Sequence, residues 1–128
     1  MNVLLVDTSV WISYFNGKSY PQLDLALKEG RVYLSPVVAA ELLSAKLKPG
    51  DRAALEAFLR ELPLCETPFG HWVLVGALRS SCSSKGIHIS TPDAHIAQSS
   101  LDLDGYLFSE DRIFSKLSGV TALKLVSD

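Results

Sequence analysis

This 128-residue chain has only two cysteines, one methionine and no excess of positive charge. Cys65 and Cys82 lack any zinc-like spacing, so a cysteine-rich metal site or a disulfide framework is excluded. Residues 32–45 form the longest apolar-looking run, and Pro36 and Glu41 interrupt it, which rules it out as a membrane span. Twelve Lys and Arg stand against fourteen Asp and Glu, for a formal net charge of −2. No basic footprint therefore announces a nucleic-acid binder; such a partner would need a bound cation or a local patch. Internal repeats, low-complexity tracts and linkers are missing, and no signal peptide is expected before Val3. What remains is an ordinary soluble globule, 48% hydrophobic and 20% charged. One domain over residues 1–128 is expected, cytoplasmic and with reduced thiols, burying about two-thirds of its unfolded surface.

The stretch Val3-Leu4-Leu5-Val6 reads as a short strand buried on both faces, as in a parallel sheet. It stops on Asp7, followed by Thr8 and Ser9, both good caps for a helix over residues 10–15. Ligands of open α/β sheets bind beyond the carboxyl ends of strands, so Asp7 reads either as a site residue or as one more cap. Gly17 breaks this helix, Pro21 opens a second over residues 22–29, and residues 31–34 form the next strand. Alternation of strand and helix predicts βαβ units: an α/β fold with a mostly parallel central sheet.

Ser35 and Pro36 start a third helix, expected to run to Leu47. Glu41 lies inside it among alanine and leucine, about one and a half turns from the carboxyl end of the second strand. Asp51 is expected to cap a helix over 51–62, completing a helical hairpin whose turn gathers Lys46, Lys48 and Arg52. Residues 64–67 can form a short edge strand, and 69–85 a long helix carrying Arg79 and Lys85 and ended by Gly86. Residues 87–89 are extended, with Thr91 as cap and Pro92 and Asp93 in the first turn of the following helix. His95 reads as a surface residue or a support behind the acids rather than as a ligand. Residues 106–108 form another strand running into Ser109, Glu110 and Asp111, with Glu110 directed away if Asp111 points in. A short helix over 113–117 and a strand over 122–126 complete the chain.

Separate local signals thus bring Asp7, Glu41, Asp93 and Asp111 to one end of the sheet. Carboxylates that close repel, and a divalent cation removes the conflict. An all-oxygen set without His or Cys suits Mg²⁺, with Mn²⁺ as a substitute, rather than zinc. The implied chemistry is metal-assisted phosphodiester hydrolysis. No nucleophilic serine, catalytic cysteine or phosphate-cradling glycine loop competes with it.

These motifs, in this order, resemble those of PIN-domain nucleases: a strand running into Asp7-Thr8-Ser9, Ser35 followed by Glu41, the helix from Trp72 to Gly86, Pro92-Asp93-Ala94-His95-Ile96-Ala97, and Leu107-Phe108-Ser109-Glu110-Asp111. The resemblance is closest to VapC toxins of prokaryotic type II toxin–antitoxin pairs and covers nearly the whole chain. It implies a three-layer α/β/α sandwich and a Mg²⁺-dependent endoribonuclease acting on an RNA substrate. It also implies an acidic quartet at Asp7, Glu41, Asp93 and Asp111, support from Ser109 and from Thr8 or Ser9, and a homodimer inhibited by a cognate antitoxin. Many members carry a further Asp where this chain has Ile113, so one firmly held Mg²⁺ is expected here. Lys46, Lys48, Arg52, Arg79, Lys85 and Arg112 are candidates for RNA contacts. Alternatives are a Mg²⁺-binding phosphotransfer protein, receiver or phosphatase-like, and a non-catalytic binding module. The phosphatase reading lacks its usual second Asp, since that position is Ser9.

The apolar load of Trp11, Tyr14, Phe15, Leu43, Leu47, Leu55 and Phe58 predicts a groove for an amphipathic segment. Trp72, Val73, Val75 and Gly76 on the long helix, or the helix near Ile96, are expected to contribute to a two-fold homodimer.

Overall fold

The computed structural model describes residues 2–126. In chain order the elements are β1 (Leu4–Val6), α1 (Thr8–Phe15), α2 (Pro21–Lys28), β2 (Val32–Tyr33), α3 (Pro36–Leu43) and α4 (Pro49–Arg60). They continue with α5 (Phe69–Ser84), α6 (Thr91–Asp102), β3 (Tyr106–Phe108), α7 (Arg112–Ser118) and β4 (Lys124–Leu125). The four strands are all parallel, in the order β2-β1-β3-β4. This is the α/β sandwich with a parallel sheet that the alternation of elements implies.

The order in which strands are added to the sheet reverses between β1 and β3. The path from β1 through α1 and α2 returns on one side as β2, whereas β3 joins the other side of β1. Leu4, Leu5 and Val6 pair in register with Tyr106, Leu107 and Phe108, so the two strands end together. The crevice beyond such a pair of ends is where open α/β sheets bind ligands. All three β1 residues are buried, which explains a run without polar alternation. α6 packs on β1 and β3, α2 on β2 and α7 on β4, while α5 lies against α6 and α3 contacts α1 and α4. Trp11, Leu23, Val38, Leu107 and Phe114 are fully buried at the centre of the core.

Several helix boundaries differ from those expected, each for a local reason. Asp7, not Thr8 or Ser9, caps α1, its side chain accepting from the Thr8 amide. α3 ends at Leu43 instead of Leu47, because the Arg52 guanidinium takes the Leu43 carbonyl at 2.5 Å and Ser44 bonds back to the Ala40 carbonyl. α4 begins at Pro49 with Lys48 at the cap position, which leaves Asp51 in the first turn. Ser90, one residue before Thr91, caps α6 and accepts from the Asp93 amide. The edge strand expected over 64–67 shrinks to one parallel bridge between Leu64 and Leu34, and residues 87–89 join no strand. The final strand is confined to Lys124–Leu125.

Candidate active site

Asp7 closes β1. Its Oδ1 accepts from the Thr8 amide at 2.8 Å, and its Oδ2 accepts from the Ser109 hydroxyl at 2.9 Å and the Ser9 hydroxyl at 3.3 Å. The Asp7 amide donates to the Phe108 carbonyl, which carries the β1–β3 ladder into the site. Capping and site-building are therefore one arrangement: one carboxylate oxygen starts α1 while the other faces the end of β3.

Glu41 is exposed on α3, and its Oε1 accepts from the Thr8 hydroxyl at 2.8 Å. Thr8 thereby links the first turn of α1 to the middle of α3. Asp111 caps α7 through the Ile113 amide, and its own amide donates to Ser109 Oγ at 3.0 Å. Ser109 thus bridges Asp7 and Asp111 by giving its proton to one and accepting from the backbone of the other. Glu110 turns away, held by Lys18 and the Tyr20 hydroxyl, both at 2.8 Å, and those partners draw its pKa below the usual carboxylate range.

Asp93, half-buried in the first turn of α6, feels the other three acids. Its pKa is raised, first by burial and then by the negative charges of Asp7, Asp111 and Glu41, against a lowering by the Ser90 hydroxyl. Four side chains from four segments of sequence share one electrostatic neighbourhood. They are not drawn into ligating contact: among the described residues, no group of three or more His, Cys, Asp or Glu is arranged to hold a metal ion.

Of the cations expected near the site, Lys46, Lys48, Lys85 and Arg112 are exposed, with Arg112 opening α7 beside Asp111. Arg52 and Arg79 already hold backbone carbonyls, those of Leu43 and Ile89.

His95 is fully buried, which corrects its reading as a surface residue. Its Nε2 meets Ser35 Oγ at 2.6 Å and its Nδ1 meets His71 Nε2 at 2.8 Å, while His71 Nδ1 meets Asp102 Oδ2 at 2.6 Å. Burial, and then the neighbouring His71, push the pKa of His95 down to about 4. The chain has the membership of a serine hydrolase triad, yet Ser35 is buried and its oxygen accepts from the Val37 and Val38 amides. That oxygen starts α3 and is not presented to a substrate. Periodicity could not reveal this network, because His71 and Asp102 meet only through the packing of α5 on α6.

The sequence profile of the PIN domain matches residues 4–120, from β1 to the end of α7. The chain belongs to the PIN domain family. Among solved structures, this PIN domain is similar to a chain of VapBC2 from Rickettsia felis, solved bound to a DNA fragment from its promoter: TM-score 0.79, 22% identity, 97% of each chain covered. DNA-bound VapBC from Salmonella typhimurium gives a TM-score of 0.79 at 20% identity over 98% of each chain. VapBC-5 from Mycobacterium tuberculosis gives 0.69 at 22% over the full length of both. No curated protein sequence is significantly similar to the chain. At these identities the structural likeness establishes the fold, and the site must carry the chemistry.

Proposed function

We propose that this PIN domain is a Mg²⁺-dependent endoribonuclease, the toxin of a type II toxin–antitoxin pair. The observation that carries this reading is the set of contacts that gathers the acids: Thr8 holds Glu41, and Ser109 links Asp7 to the backbone of Asp111, with half-buried Asp93 feeling all three charges. Four acids brought together repel one another, and their oxygen-only donor set fits a small hard cation by charge and by ligand type. Asp7, Glu41, Asp93 and Asp111 would hold the ion, drawing inward from the positions described above. A bound Mg²⁺, or Mn²⁺ in its place, would supply a Lewis acid and an activated water for phosphodiester hydrolysis. Ser109 and Thr8 orient the carboxylates of Asp7 and Glu41, and Ser9 adds a further donor to Asp7. Lys46, Lys48 and Arg112, all exposed, would meet phosphates, and Arg52, Arg79 and Lys85 would complete the basic set expected around the RNA.

The partner reading rests on an apolar surface beside the site. Ile12 and Phe15 on α1 are 49% and 42% exposed, and Leu47 is exposed after α3. Phe15 stacks on Trp11 and meets Phe58 edge-on, both at 5.5 Å between ring centres. Trp11 is fully buried and so drops out of the expected groove, while Tyr14, Leu43, Leu55 and Phe58 are half-covered. An amphipathic antitoxin segment would lay its apolar face here, with a basic side chain reaching the acids. For the homodimer, α5 offers Val73 and Leu74, with Phe69 82% exposed, whereas Val75 is buried and unavailable. These soluble partners and the absence of a membrane-spanning helix among the described residues fit a cytoplasmic protein.

The deciding experiment incubates the purified protein with total RNA and Mg²⁺, with and without EDTA, beside Asp93→Asn. Cleavage that needs the metal and is lost in the variant supports the reading. Absence of cleavage by the parent with both Mg²⁺ and Mn²⁺ overturns it.

A further inference from the structure

The buried chain from Asp102 to Ser35 has only one arrangement of protons that satisfies every group. A carboxylate has no proton to give, so His71 Nδ1 carries the hydrogen across the 2.6 Å contact to Asp102. Neutral His71 then presents a bare Nε2, which must accept from His95 Nδ1 at 2.8 Å. His95 in turn presents a bare Nε2, and the Ser35 hydroxyl donates to it at 2.6 Å. That leaves the two lone pairs of Ser35 Oγ for the Val37 and Val38 amides, at 3.1 and 3.2 Å. Reversing the direction would aim three N–H groups at Ser35 Oγ and leave its own proton without an acceptor. Trp72 stacks on His95 at 4.9 Å and His71 stands edge-on to both rings, so the ring planes are fixed by packing as well.

The two ends of this chain differ. Asp102 is a third exposed, holds Gln98 through its second oxygen, and lines a cleft of about 640 Å³ with Tyr33, Cys65 and Glu66. Ser35 lies inside, at the start of the helix that carries Glu41, and His95 stands two residues after Asp93 on α6. The Ser35–His95 contact is thus the joint between the two helices that bring Glu41 and Asp93 to the site.

We propose that Asp102 and His71 are positioning residues: Asp102 at one end and the capped Ser35 oxygen at the other together fix the direction of the relay, and the relay fixes the start of α3 and hence Glu41 relative to Asp93. The part concerning cleavage rests on the nuclease reading above, whereas the relay itself does not.

The test separates the two. Nitrogen-15 NMR of the histidine side chains in the intact protein should show both His71 and His95 with the hydrogen on Nδ1. A hydrogen on Nε2 of either neutral ring overturns the relay, whatever the enzyme does. Asp102→Ala removes the acceptor at the exposed end, where water can replace it without opening the core. With one of its two ends released, His95 should begin to populate the second tautomer, and the Val37 and Val38 amide signals should shift with it. Turnover of RNA should fall about tenfold with KM little changed, the size usual for loss of a residue supporting a ligand. Asp102→Glu keeps the acceptor and should restore tautomer, amide signals and turnover. Unchanged His95 tautomer and amide signals in Asp102→Ala would overturn the proposal. So would a turnover loss that Asp102→Glu fails to restore while its tautomer is normal. If the parent cleaves no RNA, the nuclease reading fails, and the NMR outcomes still decide the relay.

Discussion

The Ser109 hydroxyl donates to Asp7 Oδ2 at 2.9 Å, joining the ends of β1 and β3 across the point where the strand order switches sides. The partners are 102 residues apart in sequence, yet the in-register pairing of Val6 with Phe108 makes them neighbours. Asp7 is consequently a cap by one oxygen and, by the other, the residue that ties the end of β1 to the end of β3.

That double role sets the first prediction. Asp7→Asn keeps an oxygen for the Thr8 amide, so α1 should remain capped, because Asn caps as well as Asp. Removal of one negative charge relieves Asp93, Asp111 and Glu41, and melting without metal should hold or rise. Metal-dependent cleavage should fall by about a hundredfold or more, the loss expected when a ligand of the activating ion is removed. Ser109→Ala should cost about 1 kcal/mol, since Asp7 loses one donor while keeping its charge. Paired melting curves and cleavage rates check both variants; an Asp7→Asn protein that cuts RNA at the parent rate removes Asp7 from the site.

Asp93 supplies a prediction with a defined sign. Its carboxyl is held above the ordinary 3.8 by burial and by three acids. The folded state therefore binds this proton more tightly than the unfolded chain, and the group's contribution to stability declines as pH rises from about 3.8 through the raised value. A divalent cation should bring the pKa back down and flatten that slope. Carboxyl NMR titration with and without Mg²⁺ reads the first effect. Melting against pH for the parent and Asp93→Asn reads the second.

His95 acts in the opposite direction. With its pKa lowered from 6.5 to about 4, the unfolded chain takes up a proton that the folded protein refuses. Stability is fully present above pH 6.5 and is lost as pH falls toward 4, by roughly 3 kcal/mol for a buried group shifted this far. Urea unfolding at pH 7 and pH 4.5 should show that loss. In His95→Gln the slope across the interval should shrink, even though the variant is less stable throughout.

How much of this was legible beforehand follows from the range of each interaction. Asp7 and Asp111 each stand just beyond a strand and Asp93 just beyond an extended segment, where a helix begins, a pattern confined to neighbouring residues, and Glu41 stands out as a charge among apolar neighbours. Those positions could be read directly. Element boundaries were less legible where a distant group decided them: the Arg52 guanidinium ends α3 by taking the Leu43 carbonyl. Ser35 was recognised as a cap, but its second partner, His95, lies 60 residues away. His71 gave no signal at all, since its partners are Asp102 and His95, 31 and 24 residues distant. Networks that close through tertiary packing leave no periodic trace.

The apolar surface on α1 yields a contrast between neighbours. Ile12 and Phe15 are about half exposed, so serine at either should cost the isolated protein about 1 kcal/mol or less. Trp11 is fully buried, and Trp11→Ala should cost about 3–5 kcal/mol. Binding of the inhibitory partner should weaken at least tenfold, by about 1.4 kcal/mol, in Phe15→Ser if that side chain is an anchor. Calorimetric titration with the proposed antitoxin measures it. Full affinity in the Ile12→Ser, Phe15→Ser double variant places the groove elsewhere.

Gly105 tests the register on which the site depends. It lies between Asp104, at φ 49°, and the first residue of β3. A Cβ there would stand 2.8 Å from the Val3 carbonyl oxygen and 3.3 Å from the Val3 Cβ. The obstacle is backbone, and it is held: the Val3 carbonyl accepts from the Tyr106 amide at 2.8 Å, while the Gly105 amide donates to the Ser100 carbonyl at 2.9 Å. Movement in either direction breaks one of these bonds. Gly105→Ala should therefore destabilise by about 1–3 kcal/mol, lowering the melting temperature by roughly 5–10 °C. Gly76, inside α5, has nothing within 4 Å of an added Cβ, so Gly76→Ala should gain up to about 1 kcal/mol from helix propensity. Opposite signs from the same one-carbon addition cannot come from composition; they require the close approach of β3 to β1. A Gly105→Ala protein that melts with the parent would show that β3 does not enter the sheet against Val3, and the Asp7–Ser109 contact built on that register would fall with it.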